Sequence, residues 1–212
     1  ELKRILDVLF TRSEHLPSLL HEIDKDTLEQ CFQDILFLYA TDVNSSTLRE
    51  LITLLKAGYK PQPKGTKLGY NGWTLAEVPC EVKPVNVRSE SSKKLNGGGN
   101  FSDFTYERMD RYQEDKVMML VSGFVDGRLI YILEFPFSHP DFVGRLRHQL
   151  EGYFARGKRA PGQFLRSAQF SFRHYKNCPE LRVIYLNPDL SDYKQSLTRE
   201  LAAFLVRREK WK

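Results

Sequence analysis

Cysteine is scarce in this chain, and long apolar runs are absent. The three cysteines, Cys31, Cys80 and Cys178, are odd in number and widely separated. Their spacing matches neither a zinc site nor a disulfide framework. A small fold stabilised by zinc or by disulfides is therefore excluded, and a cytoplasmic location is favoured. No apolar run approaches the roughly 18 residues that a membrane-spanning helix needs, so no membrane partner is expected.

Several catalytic signatures are also missing. The chain has no Walker-type phosphate loop, dinucleotide-binding G-x-G-x-x-G, HExxH pair or nucleophile elbow. Nucleotide hydrolysis and serine hydrolysis therefore have no support in the sequence. His148 and His174 are isolated histidines without ligand spacing, and we expect polar surface or interior groups there rather than catalysts.

The residues that are present favour a globular fold with an anionic partner. Hydrophobic residues make up 41% and aromatic residues 12% of the 212 residues, which argues against disorder and provides for a real core. The net charge is +5, and its distribution is more informative than its size.

Basic residues concentrate in one stretch of the chain. Residues 143–176 contain eight Lys or Arg residues and one acid, Glu151. The densest part is the segment 155–161, which holds Arg156, Lys158 and Arg159 between a predicted helix and a predicted strand. Such loops grip phosphates, although a solubilising surface loop is the alternative. We expect nucleic-acid contact here, because acids nearly balance bases elsewhere.

The apolar spacing predicts helices over residues 1–58. Pro17 interrupts the first of them, and Gly58 closes the segment. Two capping boxes are expected, one formed by Asp26 with Glu29 and one formed by Thr47 with Glu50.

Strands dominate the remainder of the chain. The strongly apolar runs 117–125 and 129–137 are joined through Asp126-Gly127, a favoured hairpin turn, and are expected at the centre of a sheet. A helix is predicted after His139, strands at 163–175 and 181–186, and a final helix capped by Ser191 or Asp192. We expect an α/β (α+β) fold with a central mixed sheet flanked by helices. A single domain over 1–212 is expected, with an N-terminal helical segment at 1–60 and a sheet-containing core at 61–212.

The segment 71–87 carries the most specific chemistry. Residues 67–70 and 73–78 are predicted to pair across Asn71-Gly72, with a bulge or an edge at Pro79. In the strand that follows, Glu81 and Lys83 project from the same face because side chains alternate with period two. A carboxylate can hold Mg²⁺ and an ammonium can stand beside a scissile phosphate, whereas an exposed strand with alternating charges is the plain alternative.

A second informative stretch is 96–111. Its glycines allow close backbone approach to a ligand, and a short helix is predicted over 101–112, with Arg108 and Arg111 as neighbours on one face. The alternative is a flexible loop followed by an ordinary helix cap at Ser102 or Asp103. The nucleic-acid-binding candidates of the whole chain are Lys93, Lys94, Asn100, Ser102, Asp103, Arg108, Arg111, Arg156, Lys158, Arg159 and Arg166.

These pieces resemble the PD-(D/E)XK nuclease superfamily, particularly type II restriction endonucleases. The resemblance rests on Glu81-Val82-Lys83 in a strand, the turn ten residues earlier, the preceding helices and the strand–helix–strand elements that follow, and it covers about residues 65–155. It implies a restriction-endonuclease-like fold and a Mg²⁺-dependent endodeoxyribonuclease, with Mn²⁺ as a possible substitute, that cuts double-stranded DNA at a specific sequence. The resemblance also implies that the protein forms a homodimer. It further implies a cytoplasmic protein of bacterial or phage origin.

The chain departs from the family pattern at one position. The family places an acid at a hairpin ahead of E-x-K, but residues 61–80 contain Glu77 as their only acid, and Asn71 stands at the expected place. The resemblance therefore implies Glu81, Lys83 and Asn71 as catalytic residues and Glu81, Asn71 and Glu77 as metal ligands.

Three explanations of that departure stay open: an inactivating Asp-to-Asn change, a second carboxylate supplied by Glu77, or a degenerate site. A structure-specific repair or phage nuclease and a non-catalytic nucleic-acid-binding protein are the alternative functions.

Overall fold

The computed structural model describes residues 1–41, 46–62, 69–155 and 162–209, without the side chains of 37–41 and 209. The N-terminal part is helical, as predicted. Its helices are α1 (Leu2–Thr11), α2 (Leu16–Glu22), α3 (Lys25–Thr41) and α4 (Thr47–Ala57), with a short 3₁₀ turn at Ser13–His15.

Eight strands and three α-helices follow α4 in the described residues. The elements in chain order are β1 (Lys60–Pro61), β2 (Gly72–Trp73), β3 (Pro79–Val87), β4 (Gly99–Phe104), α5 (Tyr106–Glu114), β5 (Met118–Val125), β6 (Arg128–Pro136), α6 (Pro140–Phe154), β7 (Leu165–Phe170), β8 (Arg182–Leu186) and α7 (Arg199–Glu209). Two more 3₁₀ turns lie at Phe172–His174 and Leu190–Ser196. Within the described residues, no helix is both long enough and apolar enough to cross a membrane.

The central sheet is mixed, which confirms the predicted fold class. Six strands follow the order β1-β2-β3-β5-β6-β8. Strand β3 runs parallel to β5, and the other neighbouring strands are antiparallel. The crossover from β3 to β5 passes through β4 and α5. Strands β4 and β7 pair with each other as a separate two-stranded antiparallel ribbon, which we call the β4–β7 ribbon.

Both faces of the sheet are buried. On one face, Leu6 of α1 and Ile52 of α4 pack against Val82 and Leu120 of the sheet. The other face carries an aromatic core that includes Phe101, Phe135 and Phe142. Each fully buried side chain of this size contributes about 1.5–3 kcal/mol, so the helical segment and the sheet depend on a shared core.

Both predicted capping boxes are wrong. Helix α3 begins at Lys25, and the Oδ1 atom of Asp24 accepts a hydrogen bond from the backbone N of Thr27 at 2.9 Å. Helix α4 begins at Thr47 itself, so Thr47 cannot be its cap. The predicted end of α4 is confirmed, because Gly58 adopts the left-handed conformation with φ of 77°.

The hairpin before β3 lies later in the chain than predicted. Residues 67–68 fall outside the described part, and β2 ends at Trp73 rather than continuing to 78. A turn follows, in which the Thr74 hydroxyl accepts hydrogen bonds from the backbone N of Ala76 and of Val78. Gly72 is required for packing rather than for a turn, since a Cβ atom there would lie 2.4 Å from the carbonyl O of Lys60.

Three further boundaries differ from the prediction. Residues 99–104 form β4, so the helix expected over 101–112 begins only at Tyr106, where the Thr105 hydroxyl caps it. The strand expected over 163–175 ends at Phe170. The last helix starts at Arg199 rather than after Ser191 or Asp192, which lie in the 3₁₀ turn.

Candidate functional site

Glu81 and Lys83 meet on one face of β3, as the alternation predicts. Glu81 is buried, with 4% of its surface exposed. Its Oε1 atom accepts hydrogen bonds from Lys83 Nζ at 2.6 Å and from Arg108 Nη2 at 3.2 Å, and its Oε2 atom lies 3.1 Å from the Tyr112 hydroxyl. The carboxylate is therefore held from two sides by two cations and a phenol.

Helix α5 delivers two of these groups together. Arg108 and Tyr112 are four residues apart and therefore share a helix face. The Arg108 Nη2 atom donates to the Tyr112 hydroxyl at 2.8 Å, and its Nη1 atom donates to the carbonyl O of Ser102 at 3.0 Å. Burial, followed by the charge of Glu81, raises the pKa of Tyr112, so its hydroxyl stays protonated at neutral pH.

Phe101 of β4 supports both cations. The Lys83 ammonium lies 4.6 Å and the Arg108 guanidinium carbon 5.6 Å from the centre of its ring. These are cation–π distances. Gly99 allows β4 to reach this position, because a Cβ atom there would lie 2.7 Å from the Cβ of Lys83. The β4–β7 ribbon is thus packed directly against the Glu81–Lys83 pair.

Asn71 occupies a different place from the one implied by the family resemblance. Its Oδ1 atom accepts a hydrogen bond from the backbone N of Val82 at 2.7 Å, and its Nδ2 atom donates to Oε2 of Glu50 at 2.8 Å. Neither bond involves the carboxylate of Glu81. The amide therefore bridges α4 to the edge of β3, and in this structure Asn71 positions the strand that carries Glu81.

Glu77 does not lie on the strand face that carries Glu81, so the structure does not bring these two carboxylates together. It lies in the turn before β3, with φ of 60°, and its exposed carboxylate forms an ion pair with Lys60 Nζ at 2.7 Å. The physical reason is that β3 begins only at Pro79. The alternation of the strand consequently does not extend back to Glu77.

The predicted DNA-binding residues separate into three groups. Asn100, Ser102, Asp103 and Arg166 are exposed on the β4–β7 ribbon. Exposed side chains elsewhere are Lys93, Lys94 and Arg111. Arg156, Lys158 and Arg159 lie outside the described residues.

Arg108 is the exception among these candidates, because it turns inward. It binds Glu81 and only 24% of its side chain is exposed. The structure therefore places it in the candidate site, while its predicted neighbour Arg111 stays at the surface.

Tyr112, Phe101 and Glu50 were missed as site residues. The spacing of four between Arg108 and Tyr112 is a signal that could have indicated the Tyr112 hydroxyl. The sequence predicts Glu50 as a capping residue, whereas its side chain contacts Asn71. Phe101 carries no chemical signal in the sequence, since its role depends on the packing of β4.

A second buried carboxylate lies on the opposite face of the sheet. Glu134 is fully buried and accepts hydrogen bonds from the Tyr59 hydroxyl and from Arg182 Nε, the latter at 2.8 Å. Burial, with the added charge of Glu134, raises the pKa of the Cys80 thiol to about 12. Because Tyr59 directly follows the end of α4, this cluster ties the helical segment to β6.

The groups around Glu81 do not fit Mg²⁺ as they stand. The ion prefers oxygen ligands and is usually held by one or two carboxylates. Here the single carboxylate is already paired with Lys83 and Arg108. Across residues 1–41, 46–62, 69–155 and 162–209 there is no cluster of three or more His, Cys, Asp or Glu side chains suited to a metal.

The comparisons with known proteins add no family. A scan against protein-family models finds none that matches the chain. A search of the curated proteins returns no match either.

Proposed function

We propose that this protein is an endodeoxyribonuclease of the restriction type, acting on double-stranded DNA, and that it cuts slowly because the groups around Glu81 do not form a complete site for Mg²⁺. The observation that supports the proposal is the buried Glu81–Lys83 ion pair on β3. Arg108, which lies in the connection between the parallel strands β3 and β5, also binds Glu81. On a solvated strand both side chains would instead be exposed, whereas here only 17% of the Lys83 side chain and 6% of the Glu81 side chain are.

Lys83 and Arg108 are the groups proposed to meet the scissile phosphate. A lysine is a compact charge that stabilises developing negative charge, and an arginine can bind two phosphate oxygens at once. Both retain access to solvent, with 17% of the Lys83 side chain and 24% of the Arg108 side chain exposed. Glu81 fixes the position of both cations.

Residue 71 is proposed to limit cleavage. An amide carries no charge and binds Mg²⁺ or Mn²⁺ more weakly than a carboxylate does. The neighbouring Glu50 carboxylate already contacts Asn71, so an aspartate at this position would bring two acids together beside β3. We therefore expect the chain to bind DNA well and to cut it slowly.

A two-fold dimer is proposed for a palindromic target, since it would present one site to each strand. Light scattering on the protein alone and on its complex with DNA tests this point. A mass corresponding to one chain in both samples would contradict it.

The experiment that tests the function is incubation of plasmid and oligonucleotide DNA with the protein in Mg²⁺ or Mn²⁺. Discrete fragments support the restriction type, nicks confined to branched or mismatched DNA support a repair or phage nuclease, and binding without cutting supports a non-catalytic protein. The matched control is Glu81→Gln, which removes the charge and preserves the shape. Equal cutting by this variant, or no DNA binding by the unaltered protein at about 50 mM salt, would contradict the proposal.

A further inference from the structure

The β4–β7 ribbon has one buried face and one polar face. Phe101, Ala168 and Phe170 are buried and pack into the aromatic core. On the opposite face the register places Asn100 across from Gln169 and Ser102 across from Ser167. The Ser167 hydroxyl donates to Oδ1 of Asn100 at 2.6 Å, which joins the two strands on the outer side.

The polar face extends past an irregularity in the ribbon. Asp103 has a positive φ of 51°, and Asp103 and Arg166 are both exposed. The outer face therefore offers amide, hydroxyl and guanidinium groups in two adjacent rows, interrupted by one carboxylate. These are the groups that distinguish base edges.

The ribbon is fixed in place before any ligand binds. The Gln149 side chain of α6 donates to the backbone O of Gln169 at 2.9 Å and accepts from its backbone N at 2.9 Å. This pair of bonds occupies the open edge of β7. On the other strand, Arg108 binds the backbone O of Ser102. Because the ribbon is already held in place, less conformational entropy is lost when a ligand binds.

Basic side chains flank the ribbon at the Gln169 end. A cavity of about 170 Å³ is lined by Asn96, Gln169, Arg145, Arg173 and other polar groups. The Nε atom of Arg145 is buried and has no hydrogen-bond partner in the described part of the chain. Two guanidinium groups around a small polar cavity suit a phosphate of a DNA backbone.

We propose that the β4–β7 ribbon enters the major groove of double-stranded DNA and reads base edges through Asn100 and Gln169, while Arg145 and Arg173 hold the flanking phosphate. The major groove admits a two-stranded ribbon, and Asn and Gln pair with adenine through two hydrogen bonds. The inference rests on the proposed function in taking DNA as the ligand. It adds the recognition element, and it links recognition to the site, because Phe101 lies next to Asn100 in β4 and contacts Lys83.

The test is selection from a library of DNA duplexes with a randomised centre, carried out in EDTA at about 50 mM and about 200 mM salt. The unaltered protein should enrich a defined sequence. Asn100→Ala and Gln169→Ala should each reduce the preference at one base position roughly tenfold or more, with little change in affinity for a scrambled duplex. Gln33→Ala, an exposed amide on α3, is the matched control and should change neither.

Arg145→Ala and Arg173→Ala should behave differently from the amide variants. Each should weaken binding to the selected and scrambled duplexes alike. In each variant the slope of the logarithm of the binding constant against the logarithm of the salt concentration should become shallower by about one. Circular dichroism and thermal melting show whether each variant is folded.

Three results would overturn the ribbon proposal. The first is that the unaltered protein enriches no sequence, and the second is that both amide variants keep its sequence preference unchanged. The third is that the protein binds double-stranded RNA as well as the selected DNA duplex, because the deep and narrow major groove of RNA excludes a ribbon. In each case plasmid cutting remains a separate measurement of the proposed function, so the two failures can be told apart. Absence of binding to any duplex would contradict both.

Discussion

Glu81 is a buried carboxylate whose charge is balanced by Lys83 and Arg108 and whose second oxygen faces the Tyr112 hydroxyl. Removal of one member from a buried ion cluster leaves the other charges uncompensated. Glu81 is therefore needed for the stability of this region as well as for the proposed chemistry. Any activity assay on its variants must account for both effects.

Replacement of Glu81 by Ala is expected to lower the free energy of unfolding by about 3 kcal/mol, because Lys83 and Arg108 would lose the carboxylate that balances their charges. The loss is at the lower end of the usual range of about 3–5 kcal/mol because both cations retain partial contact with water. Urea unfolding followed by circular dichroism measures this change. Glu77→Ala is the matched control, since its ion pair with Lys60 is exposed and contributes at most about 1 kcal/mol. Equal losses in the two variants would contradict the buried role of Glu81.

The face shared by Glu81 and Lys83 could be predicted from the sequence because alternation in a strand is a local property. The inward turn of Arg108 could not, since it depends on how α5 packs over β3. Asn71 shows the same limit: its position in the sequence suggested a ligand, whereas its contacts follow from the approach of α4.

At the scale of elements, the sequence predicts a helix from residue 101, where the structure has β4, and the reason is specific. Phe101 and Phe104 are both buried although they are three residues apart, which is the spacing of a helix face. The left-handed conformation of Asp103 produces this spacing within a strand by reversing the alternation. By contrast, β5 and β6 were predicted correctly because their nearly continuous apolar runs indicate burial on both faces.

The turn that follows β7 should make the protein sensitive to acid. Burial, followed by the charges of Arg173 and Arg145, lowers the pKa of His174 below its ordinary 6.5. His174 Nδ1 accepts a hydrogen bond from the backbone N of Ser171 at 3.0 Å, which protonation would remove. Because the unfolded chain binds this proton more readily, stability is retained above about pH 6.5 and falls as the pH decreases below it.

The measurement for this prediction is the melting temperature at about pH 7.5 and about pH 5.5. The unaltered protein should lose more stability between the two pH values than His174→Asn, which stays neutral and can still accept the Ser171 hydrogen bond. An identical loss in both proteins would contradict the assigned role of His174.

At the scale of the whole molecule, the sheet brings together pieces that are distant in the chain. The helical segment covers one face, and the aromatic core, α5 and the β4–β7 ribbon cover the other. The Glu81–Lys83 pair lies where β3, α5 and β4 meet. Strand β4 therefore contributes both to the proposed catalytic site and to the proposed base-recognition surface. The mixed sheet could be predicted from the order of elements, but the separation of β4 and β7 into a ribbon required the tertiary structure.

Asn71→Asp tests most directly whether residue 71 limits cleavage. This change places a carboxylate against that of Glu50, with repulsion that a divalent cation would relieve. We therefore expect Mg²⁺ to raise the melting temperature of Asn71→Asp more than that of the unaltered protein. This readout is independent of catalysis, and it shows whether the variant binds the ion.

The decisive measurement is the rate of plasmid cutting in Mg²⁺ by the unaltered protein, by Asn71→Asp and by the double variant Asn71→Asp with Glu81→Gln. Asn71→Asp should produce discrete fragments at least roughly tenfold faster than the unaltered protein, and the double variant should produce none. If Asn71→Asp is folded, binds DNA and is stabilised by Mg²⁺ yet cuts no faster than the unaltered protein, the proposal that residue 71 limits cleavage is contradicted.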